Sequence, residues 1–155
     1  MNEPILTFRQ AVHDDLKRIV QLLADDELGK TREDFSLPLA SCYECAFEAI
    51  SADRNNELIV AEQAGTVVGV LQLTFIPYLT LKGSSRALIE GVRVASEKRG
   101  RGIGTQMLRW AIERARERQC RVVQLTTNKS RADAIRFYES LGFIASHEGM
   151  KLQFG

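Results

Sequence analysis

Val92-Arg93-Val94-Ala95-Ser96-Glu97-Lys98-Arg99-Gly100-Arg101-Gly102-Ile103-Gly104-Thr105 carries the densest chemical signal in the chain. A strand-like stretch meets glycines at every second position, and these run straight into residues with helical apolar spacing. Glycines let a backbone approach a ligand closely and adopt conformations that other residues resist. Amide groups gathered at the positive end of a helix make an anion site, and Lys98, Arg99 and Arg101 add charge suited to phosphate. Two well-known phosphate loops do not fit. A Walker loop needs Lys followed by Ser or Thr directly after its last glycine, and none follows here. A dinucleotide fingerprint has the spacing G-x-G-x-x-G near a first strand, whereas Gly100, Gly102 and Gly104 are spaced G-x-G-x-G and lie late in the chain. A tight strand-to-helix connection with solvated basic residues stays open as the plain reading. An RNA-binding Arg-Gly segment has poor support from a single pair of repeats.

Alternating elements must hold that loop in place. Thr7 to Ala11 reads as a short strand, and a helix should follow Asp14 or Asp15, since Val12, Leu16, Ile19, Val20 and Leu23 recur at helical spacing. An aspartate there can cap the free amides of the first turn. Pro38 suggests a second helix entry, with Leu39, Tyr43, Ala46, Phe47 and Ile50 as its apolar stripe. Strands are expected over Glu57–Ala61, Val67–Phe75 and about Arg86–Val94, with a turn at Gln63-Ala64-Gly65. The long helix after Gly104 presents Met107, Leu108, Ala111, Ile112 and Ala115 on one face. Arg121 to Thr127 reads as a strand. Ser130 with Asp133 resembles a capping box, opening a helix that ends at Leu141-Gly142-Phe143, where Gly142 suits the left-handed turn past a helix end. Phe143 to Phe154 should supply a last strand. Residues 1–155 read as one mixed α/β domain.

Bulk properties exclude several classes. At 155 residues the chain can bury a core without staples. A net charge of +1 argues against broad nucleic-acid binding. Three cysteines make a secreted disulfide framework a poor fit. Met1-Asn2-Glu3-Pro4 lacks the basic start and apolar run of a leader, and no stretch approaches the roughly 18 apolar residues of a membrane span. A soluble cytoplasmic protein without membrane or nucleic-acid partners is expected, with a homodimer left open. Cys42 and Cys45 form a C-x-x-C inside a helical stripe, where packing fits better than zinc or redox chemistry; no metal site is expected. Arg109, Arg114, Arg116, Arg118 and Arg121, interspersed with Glu113 and Glu117, read as a solvated basic face, some of which could touch an outer phosphate. His147 could serve as an acceptor-site base or sit idle on the surface.

Arg99-Gly100-Arg101-Gly102-Ile103-Gly104 fits the pattern Gln/Arg-x-x-Gly-x-Gly/Ala of the pyrophosphate loop in the GNAT acetyltransferase superfamily, which this chain resembles. Asp133-Ala134-Ile135-Arg136-Phe137-Tyr138-Glu139-Ser140-Leu141-Gly142-Phe143 is similar to that family's A-x-x-x-Y-x-x-x-G-F segment, and the element order agrees from Ile5 to Phe154. The resemblance implies a mixed, mostly antiparallel sheet flanked by helices, with strands splayed where acetyl-CoA binds. It implies that the backbone of Val92, Arg93 and Val94 holds pantetheine and the acetyl carbonyl, an amide there stabilising the oxyanion. The loop from Arg99 through Gly100, Arg101, Gly102, Ile103 and Gly104 to Thr105 would hold the pyrophosphate, so bulkier residues at Gly102 and Gly104 should weaken binding. Tyr138 matches the tyrosine that protonates the departing thiolate; a core tyrosine is the alternative. Glu90 matches the carboxylate base; a solvent-facing partner of Arg86 or Arg93 is the alternative. Glu33, Glu44 and Glu48 are reserve bases. The family's pantetheine-binding Asn precedes the alanine matched by Ala134 by three residues, a slot held here by Arg131. Asn128, Arg131 or neither could make that contact. Thr127-Asn128, Arg131, Asp133-Ala134, Arg136-Phe137-Tyr138 and Ser146-His147 look similar to the aminoalkylphosphonate N-acetyltransferase branch. The implied activity is acetylation of a small-molecule amine, with a protein lysine or N-terminus, or a non-catalytic acyl-CoA sensor, as alternatives.

Overall fold

Apolar residues on both faces of Val67–Leu71 mark the middle of a sheet covered from two sides. The structure, a computed structural model, describes residues 4–154. Residues 1–3, read above as carrying no leader, and Gly155, at the limit of the expected domain, lie outside the described residues. Among the described residues five strands stand in sequence order: β1 (Leu6–Gln10), β2 (Asn56–Gln63), β3 (Thr66–Pro77), β4 (Ser85–Val94) and β5 (Cys120–Leu125). The first three pairings are antiparallel and β4–β5 is parallel. A parallel neighbour needs a crossover, and helix α5 (Ile103–Glu117) supplies it. The other helical segments are α1 (Leu16–Leu23), the single turn α2 (Gly29–Arg32), α3 (Ser41–Ala52), the irregular turn α4 (Thr80–Gly83) and α6 (Ala132–Ser140).

Helix α5 buries Ile103, Met107, Leu108, Ala111 and Ala115, spaced three and four apart, against Ile59, Leu71, Leu73, Ala87 and Ile89 of the sheet. Ile112 of the expected stripe is only half-buried. On the opposite face α1 places Ile19 and Leu22 against Val60, Val67 and Val70. Burying such side chains contributes roughly 1.5–3 kcal/mol each.

Several expectations are corrected. Residues 143–154 form no strand and join no strand of the sheet among the described residues; beyond Phe143 their side chains are exposed, so no burial holds them to it. Ser130 does not cap α6, because its hydroxyl and its amide both bond to Asn128 Oδ1, at 2.8 and 2.9 Å. Helix α6 starts after Arg131 without a side-chain cap. Its far end closes as expected: Gly142 has φ +93°, its amide reaches the Glu139 carbonyl and the Phe143 amide reaches that of Tyr138. Helix α3 forms, but buries none of its residues; Ala46, Cys42 and Cys45 are exposed, so those cysteines do not pack. Arg114 and Arg118 are not simply solvated, since both reach the buried carboxylate of Glu57, at 2.7 and 3.4 Å.

Asp15 also departs from the capping role. Its carboxylate turns back to accept the Val12 amide at 2.8 Å and both terminal nitrogens of Arg9, at 2.7 and 3.0 Å. Arg9 bonds Glu62 as well, so one guanidinium ties β1, the entry to α1 and β2 together. The hydrogen bonds from Arg9 hold the Asp15 carboxyl below its ordinary value, against the opposing effect of burial, with help from the Val12 amide. A depressed carboxyl stabilises the fold above the unfolded pKa near ~4 and loses that contribution as pH falls through the lower folded value. Asp15→Asn is therefore expected to cost about 1.5–3 kcal/mol at pH 7, with a smaller gap at pH 3. Urea denaturation at both pH values checks this, and an equal gap would refute it.

Candidate functional site

The β4–β5 ladder runs from Ser85–Cys120 only as far as Ile89–Leu125. Strand β4 continues to Val94, so Glu90–Val94 have no neighbour on the β5 side among the described residues. A wedge opens there, bounded by β4, the glycine loop and α6. Within it β4 carries one extra residue relative to β3: Val70 faces Arg93 while Gln72 faces Glu90. Gly91, at φ +62°, makes that bulge at little steric cost. The bulge resets the alternation. Ala87 and Ile89 point to the α5 core and Val92 and Val94 return to it, while Arg93 turns with Val70 toward α1. Glu90 and Val94, spaced to share a face of a regular strand, therefore do not. A glycine inside a strand was the sequence signal for this.

Carbonyls at Val92 and Val94, two residues apart, belong to the same strand edge. Each accepts from an arginine: Val92 from Arg93 Nη1 at 2.9 Å, Val94 from Arg99 Nε at 3.1 Å. After Val94 the chain makes a single 3-10 turn at Ser96–Lys98 and enters the glycines. Gly100 and Gly102 have φ +76° and +75°, left-handed backbone, and Gly102 is the residue before α5. The Gln106 amide bonds back to the Gly102 carbonyl at 3.1 Å, so the amides of Ile103, Gly104 and Thr105 precede the helical ladder and are available for an anion. Gly104 differs from the others. A Cβ there would sit 3.5 Å from Phe137 Cζ and 3.8 Å from Val94 Cγ2, ordinary contact. Lys98 reaches Gln63 at 3.1 Å and Arg99 lies 3.6 Å from Asp25, whose carboxylate also accepts the Ser96 amide. Arg101 is exposed beside them.

Tyr138 forms another wall of the site. It projects from α6 between Phe137 and Phe143, with ring centroids 5.3 and 6.1 Å away. Its hydroxyl has no hydrogen-bond partner among the described residues. Burial pushes the phenol above its ordinary value, and the positive charges of Arg131 and Arg93 pull partly the other way. Those two arginines converge on Asp26, at 3.6 and 3.1 Å, and the other Asp26 oxygen accepts the Gly29 amide. Sequence reasoning missed Asp26; the turn after α1 carries several acids, and only the fold singles out the one that meets β4.

Glu90 is exposed and makes no ion pair or hydrogen bond among the described residues. Neither of its suggested partners pairs with it: Arg86 lies over the Tyr78 ring at 4.9 Å and Arg93 faces Asp26. Asn128 holds the turn into α6, as described, while Ala134 is half-buried on α6. Among the reserve bases, Glu33 accepts from the Tyr43 hydroxyl at 2.8 Å and Glu44 pairs with His13 at 2.6 Å, while Glu48 is exposed. His147 is exposed, its ring 2.7 Å from the Ser146 hydroxyl. No group of three or more potential metal ligands gathers among the described residues, and no described helix is long and apolar enough to cross a membrane.

Residues 16–143 match the sequence model of the acetyltransferase (GNAT) family. The chain is 31% identical over 147 residues to an aminoalkylphosphonate N-acetyltransferase of Salmonella typhimurium, covering 93% of this chain and 88% of that protein. A crystal structure from Bacillus halodurans C-125, described as a transcriptional regulator, superposes with a TM-score of 0.94 at 57% identity, over 97% of this chain and all of that one. An acetyltransferase structure from Clostridium acetobutylicum, described with acetyl-CoA, shares the fold at a TM-score of 0.73 and 21% identity, over 96% of each chain.

Proposed function

From its membership of the acetyltransferase (GNAT) family, we propose that the chain transfers acetyl from acetyl-CoA to a primary amine of a small molecule by direct attack. One observation carries the reading: the unpaired edge of β4 leads directly into left-handed glycines at the start of α5, beside Tyr138. The residues present fit the cofactor. An extended arm finds a strand edge with no neighbouring strand at Val92–Val94, once the arginines on the Val92 and Val94 carbonyls give way, and a diphosphate finds the amides of Gly102 to Thr105 together with Arg99 and Arg101. Acetyl-CoA, when bound, supplies an acyl group already activated as a thioester.

Each residue then has a task. Backbone amides of the β4 edge orient the acetyl carbonyl and stabilise charge that develops on its oxygen. Tyr138 holds a proton for the leaving sulfur. Glu90, exposed one residue beyond the last β4–β5 pair, accepts the amine's proton directly or through water. The Salmonella relative's described substrate class makes aminoalkylphosphonates the first acceptors to try. Thiol release across aminoalkylphosphonates, polyamines, aminoglycosides and peptides tests the reading. At least one small amine is expected to release thiol well above the rate with water alone. Binding of acetyl-CoA without release to any of them would overturn it.

Glu90→Gln is expected to lower kcat/KM roughly 100-fold or more and to change the acid side of its pH profile. An unaltered profile moves the base elsewhere. A regulatory reading has its own support in the description of the Bacillus halodurans structure. All of that chain is matched by this one, so the likeness extends over the whole of the described fold. Failure of every amine, with acetyl-CoA still bound, would favour that second reading.

A further inference from the structure

Two adjacent acids in the turn after α1, Asp25 and Asp26, reach the two arginines that sit on the open edge of β4. Arg93 donates from Nη1 to the Val92 carbonyl at 2.9 Å, and its Nε lies 3.1 Å from Asp26. Arg99 donates from Nε to the Val94 carbonyl at 3.1 Å. Its Nη2 reaches the Asp25 backbone carbonyl at 3.4 Å and the Asp25 carboxylate at 3.6 Å. The stretch of β4 that lacks a neighbouring strand among the described residues is thus closed by side chains of its own chain. Two carbonyls that a ladder would use are both taken.

The two caps differ in how firmly they are held. The Arg93 and Asp26 side chains are only 16% and 17% exposed, and Asp26 also accepts the Gly29 amide and faces Arg131. A charge pair withdrawn from water loses much when it is broken. The Arg99 and Asp25 side chains are 47% and 37% exposed, and an ion pair so open to water contributes little. Arg99 also stands directly before left-handed Gly100, at the entry to the amides that begin α5. The weaker cap is therefore the one beside the anion site. A diphosphate offers its guanidinium charge-assisted hydrogen bonds, which are stronger than one to a neutral carbonyl.

We propose that Arg99 is an anion-operated cap: a diphosphate arriving at the glycine loop draws its guanidinium off the Val94 carbonyl and uncovers the β4 edge. Asp25 steadies Arg99 over that edge until the stronger anion takes it. The inference rests on the acetyl-CoA reading of the wedge and adds an order to it. The diphosphate end seats first, and the strand-like arm follows. Uncovering begins at Val94, because Arg93 is tethered more firmly at Val92. The two ends of one cofactor then assist each other through a shared side chain. Such a coupling acts equally in both directions.

The two ends can be supplied as separate molecules. Inorganic pyrophosphate and S-acetylpantetheine are titrated into the intact chain by calorimetry at constant ionic strength. Saturating pyrophosphate is expected to lower the Kd of S-acetylpantetheine at least about fivefold, and S-acetylpantetheine to lower that of pyrophosphate by the same factor. Arg99→Met removes the cap, so its Kd for S-acetylpantetheine should fall about fivefold without pyrophosphate and respond no further when it is added. Arg101→Met removes a neighbouring charge and leaves the cap, so at saturating pyrophosphate its coupling should persist. Melting temperatures confirm that both variants fold. Independent or mutually exclusive binding of the two fragments overturns the proposal. So does coupling that survives in Arg99→Met or is lost in Arg101→Met, or no binding of S-acetylpantetheine with pyrophosphate present. If acetyl-CoA binds normally in those cases, the wedge is still the cofactor site and the cap alone is refuted; if it does not bind, both readings fail.

Discussion

Tyr138→Phe is expected to lower kcat by roughly 100- to 10,000-fold, the range for loss of a positioned general acid, while the Kd for acetyl-CoA changes by less than about threefold. The substitution removes one oxygen and leaves the ring between Phe137 and Phe143. That oxygen makes no hydrogen bond that holds the fold among the described residues, so little stability should be lost. Its chemistry depends on two opposed influences. A phenol is protonated at neutral pH at its ordinary value; burial raises it further, and the charges of Arg131 and Arg93 temper the rise, so the proposed acid is weakened less than burial alone would weaken it. The expected signature is thus a fall in kcat at nearly constant cofactor affinity, measured by thiol release and by equilibrium dialysis. If turnover is unchanged, Tyr138 is a packing residue. If turnover and affinity fall together, it supports the cofactor wall rather than the proton transfer.

The cofactor half of the fold was legible in the sequence because its signals are local. Glycine spacing, the stripe of Met107, Leu108, Ala111 and Ala115, and the Leu141-Gly142-Phe143 helix end each act within one or two turns of chain, and each is found where expected. What stayed hidden depends on residues far apart. Asp26 meets Arg93 and Arg131 only because α1 ends over β4. Glu57 captures Arg114 and Arg118 from the far end of α5, so two of five arginines read as solvated hold a buried charge instead. Met150, Leu152 and Phe154 carry a strand's alternation, yet residues 143–154 form no strand, because the period alone does not supply a neighbour to pair with. The bulge at Gly91 is an intermediate case: the glycine was visible, but its effect on the direction of Arg93 required the register.

Gly102→Val is expected to raise the Kd for acetyl-CoA by about 10- to 100-fold, whereas Gly104→Ala should leave it within about threefold. The sequence pattern treats the two glycines alike, and the backbone separates them. At φ +75° Gly102 occupies a region that costs an ordinary residue roughly 1–2 kcal/mol, more for a β-branched one. No atom lies within 4 Å of where its Cβ would stand, so the cost is conformational rather than a clash. Valine would relieve it by turning the peptide, which redirects the amides at the start of α5 away from the pyrophosphate. Each 1.4 kcal/mol so lost is a factor of ~10 in affinity. Gly104 is free of that constraint: it is not left-handed, and an added Cβ meets Phe137 and Val94 at ordinary distances. Isothermal titration of the two variants, with melting temperatures to confirm intact folds, distinguishes a loop shaped to bind a diphosphate from one that merely connects a strand to a helix. In the second case the Gly102 variant would be less stable yet bind acetyl-CoA as tightly as the parent.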